Sequence, residues 1–190
     1  MRDKTIIIAF LLSGILALAA CSASNNIGQT AEKAQENESG STGEVSAEMA
    51  NPWTETTDPE EAKKATGIDI SFPGAEAIPE GLSFVNYRYT EDVLEAVYEG
   101  GGNQLVIRAS SKISDEGLTG DYNEYMKDWD EDIGGSIVHC KGDGTRVNSA
   151  YADVRGVYLA VLYNVGEEGR GLDKESLEAV FTGIRATSAE

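Results

Sequence analysis

One histidine, two cysteines and a run of spaced aspartates are the residues of this 190-residue chain whose types could support chemistry. His139 and Cys140 are neighbours in "SIVHCKG", an apolar-rich run with strand character. Side chains alternate across a strand, so the imidazole and the thiol face opposite sides and cannot act as base and nucleophile for one another. No G-x-S-x-G elbow supplies a serine instead. With no basic cluster nearby to stabilise a thiolate, Cys140 reads as a buried, inert thiol. In "DWDEDIGG", Asp128, Asp130 and Asp132 fall at every second position, as in the opening of a calcium loop. The match then breaks, because Ile133 stands where the turn glycine belongs and His139 where the bidentate glutamate belongs. Three carboxylates on one strand face could hold a divalent ion weakly. An acidic, solvent-facing edge that resists edge-to-edge pairing accounts for them better. No catalytic residue, metal or cofactor is expected from these patterns.

Aromatic residues offer a second kind of chemistry, the stacking of a sugar or peptide. The chain has eight tyrosines and two tryptophans. Tyr122, Tyr125, Met126 and Trp129 lie at i, i+3, i+4 and i+7, which would place them on one helical face, with Asp121 and Glu124 as a capping box. Tyr122, Tyr125 and Trp129 are therefore the candidate ligand-binding residues. Cross-strand packing explains most of the other rings. The glycine-rich stretches, "GEEGRG" included, lack a phosphate-binding spacing.

The other cysteine, Cys21, marks an address rather than a reaction. Arg2 and Lys4 precede an apolar run from Ile6 to Ala20, too short for a spanning helix and suited to an export signal. Ala17-Leu18-Ala19 could serve as an ordinary small-x-small cleavage site. Leu18-Ala19-Ala20-Cys21, however, resembles the bacterial lipobox. That resemblance implies cleavage after Ala20 and a diacylglyceryl group on Cys21. Two acyl chains, at ~0.8 kcal/mol per buried methylene, hold a protein on a membrane durably. Residues 22–51 follow as a Ser-, Asn-, Glu- and Gly-rich tract with too little apolar surface to fold, a disordered tether spanning about 30 Å. The chain thus divides into a signal peptide at 1–20, a lipidated acidic tether at 21–50 and one globular domain at 51–190, starting near Trp53.

These candidates need elements to position them. A hydrophobic content of 41% is enough for a core, and a formal net charge of −18 disfavours nucleic acid and anionic lipid headgroups as partners. "TTDPEEAKKATG" reads as a two-turn helix, with Asp58 as cap, Pro59 in the first turn, Glu61 completing a capping box and Gly67 as stop. "GIDISF", "LSFVNYRYT", "DVLEAVYEG", "NQLVIRASS", "TRVNSAYADV" and "GVYLAVLYNV" read as strands, the last of them central because both of its faces are apolar. The stretch 121–144 reads as one helical turn and then a hairpin about Gly134-Gly135. In "LDKESLEAVFTGI", Leu177, Val180, Phe181 and Ile184 form a helical stripe, Asp173 caps it and Leu172 can staple onto Leu177. The expectation is an α+β fold. It comprises a mostly antiparallel, curved sheet of about six to eight strands, a short N-terminal helix and a C-terminal amphipathic helix.

From Asn51 onward, "NPW", "EEAKKATGIDI", "LVIRAS", "TGDYNEY" and "KGDG", followed by the closing strand and helix, resemble a family of Gram-positive bacterial lipoprotein domains with no established activity. They also resemble the extracellular part of some anti-sigma-factor-like membrane proteins. The resemblance implies an α+β domain and carries no catalytic residues. The expected protein is monomeric and lipid-anchored at the extracytoplasmic face of the cell membrane. There it would be a non-catalytic domain binding a peptide, glycan or protein. The alternatives are a sensor or regulatory subunit acting with a separate membrane protein, and a cell-wall hydrolase using paired carboxylates.

Overall fold

The computed structural model describes residues 51–167 and 169–186; Leu18, Ala19, Ala20, Cys21 and the expected tether lie outside them. The elements, in chain order, begin with β1 (Thr54–Thr56), α1 (Pro59–Thr66) and β2 (Ile70–Ser71), followed by a 3₁₀ turn at Ala75–Ala77. Then come β3 (Ser83–Tyr89), β4 (Leu94–Gly100), β5 (Asn103–Ser110) and α2 (Asp115–Thr119). The described residues go on with β6 (Lys127–Ile133), β7 (Ser136–Gly142), β8 (Val147–Val154), β9 (Val157–Tyr163), α3 (Lys174–Gly183) and β10 (Arg185–Ala186).

Eight strands form one antiparallel sheet in the order β1-β3-β4-β5-β9-β8-β7-β6, and β10 pairs with β2 separately. The sheet is open, with β1 and β6 at its edges. The chain leaves mid-sheet after β5, crosses through α2 to the far edge, and returns as the meander β6-β7-β8-β9 until β9 meets β5. β9 is a central strand, as its two apolar faces require: Leu159 and Val161 enter the main core, while Ala160 and Leu162 enter clusters on the opposite face.

The main core fills the inner face. Leu94 and Ala96 of β4, Leu105 and Ile107 of β5, Val138 and Cys140 of β7, and Ala150 of β8 pack with Ala62 of α1 and Leu177, Val180 and Phe181 of α3. A fully buried Leu or Val contributes about 1.5–3 kcal/mol, so this layer carries most of the stability. On the outer face, Val93, Leu118 and Ala160 form a second cluster with Trp53, Ile113, Tyr151 and Tyr158 packed against it. Trp53 therefore anchors the start of β1, and α2 lies on the outer face.

Local signals place the ends of the helices. Asp58 accepts from the Glu60 N–H at 2.9 Å, and Gly67, at φ 70°, closes α1 in a left-handed conformation that glycine adopts without strain. The expected capping box is not made. Glu61 accepts from the Thr56 hydroxyl at 2.6 Å, and the Asp58 N–H goes to the same hydroxyl at 3.1 Å. Asp173 caps α3 by accepting from the Ser176 N–H at 2.8 Å. Leu172 joins the main core, and its backbone bridges to Val147 through two 2.8 Å hydrogen bonds.

The stretch from Asp121 to Met126 corrects the sequence reading, because it is not helical. Its helix lies one segment earlier, in α2, and ends at Gly120 with φ 57°. Asp121 then accepts from the Asn123 N–H at 3.1 Å, the Asn123 side-chain amide at 2.7 Å and the Tyr125 hydroxyl at 2.7 Å. An aspartate that bonds its own downstream backbone competes directly with a helix, so the i, i+3, i+4 spacing has no helical face to occupy. The hairpin at Gly134-Gly135 forms as the two glycines dictate, at φ 61° and 85°.

Candidate functional site

Strand register builds the most polar feature of the molecule. Glu55 opposes Arg88, Arg88 opposes Glu95, Glu95 opposes Arg108 and Arg108 opposes Ala160; Ala160 opposes Tyr151, Tyr151 opposes His139 and His139 opposes Asp130. These eight residues form one row across the outer face, one from each strand. Directly opposed side chains in an antiparallel pair stand close enough to interact, and opposite charges there are stabilising.

At one end of the row, Glu95 has no exposed surface. Its Oε1 accepts from Arg88 Nε in a short ion pair, and its Oε2 accepts from Arg108 Nε at 2.6 Å. The Trp53 ring lies beneath both guanidiniums, 5.6 Å from Arg88 Cζ and 5.7 Å from Arg108 Cζ. Arg108 also donates to the Thr119 carbonyl at 2.6 Å, holding the C-terminus of α2 on the sheet. This end is a sealed, charge-compensated knot. A buried carboxylate needs such partners, since an unpaired one costs several kcal/mol.

The other end is open. His139 Nδ1 lies 2.6 Å from Asp130 Oδ1, and the imidazole stacks on Tyr151 with ring centres 4.9 Å apart. Lys141 pairs with Glu116 of α2, a contact that raises its pKa above the ordinary lysine value. Asp128, Asp130, His139, Lys141 and Tyr151, with Trp129 and Cys140, line a shallow depression of about 270 Å³. Here an oriented imidazole, an aromatic face and charges of both signs meet solvent, an arrangement that can hold a polar ligand by hydrogen bonds and stacking.

Covalent catalysis through this His–Asp pair would require a nucleophilic side chain beside it, and the adjacent thiol is turned away. Cys140 is buried in the main core, and burial, followed by the nearby charges of Glu131 and Asp130, pushes its pKa up to about 12. The alternation that sets His139 outward sets Cys140 inward, as the sequence indicates.

The other sequence candidates do not converge. Tyr122 is 88% exposed. Tyr125 is held in the Asp121 network, also accepts from the Gly166 N–H at 3.1 Å, and is raised to about pKa 12, mainly by burial. Trp129 packs against the main core from β6 and donates to Glu131 at 3.2 Å. Asp128, Asp130 and Asp132 share the exposed face of edge strand β6 but act separately. Asp130 engages His139, and Asp132 accepts from the Gly135 N–H at 3.0 Å. Among the described residues, no group of three or more His, Cys, Asp or Glu is placed to hold a metal ion.

Arg88, Glu95, Arg108 and Tyr151 are the residues that sequence spacing missed. Glu95 did leave a trace, as a single carboxylate inside the apolar run "VLEAVY". Its partners are set by register across three strands, which no local pattern encodes. No protein-family model, curated protein or solved structure matches this chain.

Proposed function

We propose that this protein is a lipid-anchored surface lipoprotein whose folded part, a single α+β domain from about residue 51, is a non-catalytic binding or accessory domain at the extracytoplasmic face of the cell membrane. The address rests on Leu18-Ala19-Ala20-Cys21 at the end of an apolar run. The observation that carries the binding role is the fate of the reactive groups. The thiol faces the core in its neutral form, the buried carboxylate is clamped between two guanidiniums, and the one imidazole is held in the open against Asp130 and Tyr151. Such groups support recognition better than turnover. The partner is a peptide, glycan or protein rather than nucleic acid, given a net charge of −18. We read the sheet as curved about α1 and α3, with α3 amphipathic and the protein monomeric. Among the described residues, no helix is long and apolar enough to cross a membrane.

Intact mass of the membrane-extracted protein tests the address. A chain starting at Cys21 and carrying a diacylglyceryl group is expected, with release into the medium for Cys21→Ala. An unlipidated chain starting at Ala20 or earlier would remove the anchor from the proposal.

A further inference from the structure

A cleft on the inner side of β3 lies away from the polar row. It is bounded by Phe72, Ile78, Leu82, Phe84, Tyr87 and Tyr98 and encloses about 360 Å³. No charged side chain among the described residues lines it, although the chain as a whole carries a net charge of −18. The rings meet edge to face and tilted. Phe84 lies 4.7 Å from Tyr87 and 5.7 Å from Tyr98, and Phe72 lies 5.6 Å from Tyr87.

The fold holds these walls in place. A bulge in β3 between Phe84 and Asn86 returns Phe84 to the inner face beside Tyr98, the re-aiming that bulges perform. A Cβ on Gly100 would stand 1.9 Å from the Gly81 carbonyl oxygen, so only glycine lets the turn that carries Leu82 seat on the end of β4. A Cβ on Gly183 would meet Pro73 at 2.9 Å, so the end of α3 is packed tightly on the segment that forms the opposite wall.

Of the three hydroxyls in the cleft, those of Ser83, Tyr87 and Tyr98, none is hydrogen-bonded among the described residues, and Tyr98 is the most buried of them. Tyr98 is only 5% exposed, and its hydroxyl makes no hydrogen bond among the described residues. It is not sealed either, because the side-chain atoms both shut from solvent and unpaired are Asn148 Oδ1 and Ser149 Oγ. A solvent-open hydroxyl with no protein partner is free to give its hydrogen bond to a ligand acceptor. Burial raises the Tyr98 pKa far above the ordinary tyrosine value, with a smaller contribution from Tyr87, so the group remains a donor at physiological pH.

We propose that this cleft binds a neutral, ring-bearing small molecule that presents a hydrogen-bond acceptor to Tyr98, an assignment that rests on the binding-domain reading above. The volume accommodates one ring and its substituent, at the small end of ligand sites. The charge-free lining excludes an ionic ligand on desolvation grounds. The rings are inclined to one another by 32° to 70°, so they form no single flat platform of the kind a sugar face stacks on, and an aromatic guest can meet them edge to face.

The test titrates the full chain carrying Cys21→Ser, with ring-labelled tyrosine, using three probes. Acetophenone carries a ring and an acceptor, toluene a ring without an acceptor, and methyl glucoside stands for a saccharide. Resonances are assigned with single Tyr→Phe variants. Acetophenone is expected to shift Tyr87 and Tyr98 with a Kd on the order of 1 mM, as suits so small a ligand. Tyr98→Phe should weaken acetophenone about fivefold, the size of one net hydrogen bond, and leave toluene unchanged. Phe84→Ala should weaken both ring probes. Equal binding of toluene and acetophenone, or no effect of Tyr98→Phe, would overturn the acceptor. Shifts confined to Tyr151, shifts with methyl glucoside alone, or no shift with any probe up to its solubility would overturn the site. Shifts confined to Tyr151 would overturn this site while leaving the binding-domain reading in place, and an unlipidated native chain would overturn the membrane address without moving any of these signals, so the failures are distinguishable.

Discussion

At the scale of single residues, Glu95 governs the outer face. Both of its oxygens hold an arginine Nε, and the residue has no contact with solvent. Removing one partner of a buried ion pair leaves an uncompensated charge, a loss of about 3–5 kcal/mol. Glu95→Gln is therefore expected to lower the stability to urea by about 3 kcal/mol. Combining Glu95→Leu with Arg88→Met and Arg108→Met should recover most of that loss, because an apolar set of similar volume has no charge to desolvate. An unchanged urea midpoint for Glu95→Gln would contradict the clamp. Cys140 makes a second residue-scale prediction. With its thiol held near pKa 12 in the core, a disulfide reagent at pH 8 should label it only as fast as the protein unfolds. Rapid labelling of the native Cys21→Ser chain would show the thiol to be accessible. The burial of Cys140 was legible from strand alternation, whereas the compensation of Glu95 was not, because its partners lie on two other strands.

At the scale of elements, the caps and the edge can be tested. Hydrogen bonds from the Ser176 backbone, then from its side chain, hold Asp173 below the ordinary carboxylate value of 3.8. The folded state thus binds this proton more weakly than the unfolded chain. Its stabilisation is complete above that ordinary value and is lost as the pH falls through the lower folded one. Asp173→Ala should cost about 1 kcal/mol near neutral pH, and the variant and parent should converge in acid. A difference that persists in acid would locate the effect elsewhere than in the carboxylate. Edge strand β6 presents Asp128, Asp130 and Asp132 to solvent. Replacing all three with threonine should promote edge-to-edge association, visible as a concentration-dependent mass by light scattering. A monomer of unchanged mass at high concentration would remove the protective role of these aspartates. Capped helices and glycine hairpins were legible because their energies are local. The false helical turn at 121–126 arose because an aspartate that caps a helix also closes a turn, and only the Asn123 and Tyr125 contacts select between the two.

At the scale of the whole molecule, topology decides what the surface offers. A meander returning from the far edge seats β9 against β5, and that pairing joins the Arg88–Glu95–Arg108 knot to the Tyr151–His139–Asp130 depression in one row. The aromatic cleft is assembled in the same way, from Phe72 before β3, Phe84 at its bulge and Tyr98 on β4. By itself the sequence determined the lipobox-like segment, the absence of a serine-hydrolase elbow, the strand-rich class with a mostly antiparallel sheet and the inward thiol. All of these follow from spacing and alternation within a few residues. Only the tertiary structure decided which side chains stand opposite one another, which face α2 covers and that the Tyr98 hydroxyl lies in an aromatic cleft. The physical reason is that register between strands distant in sequence is chosen by the summed burial of the whole sheet, an energy that no short stretch of chain contains.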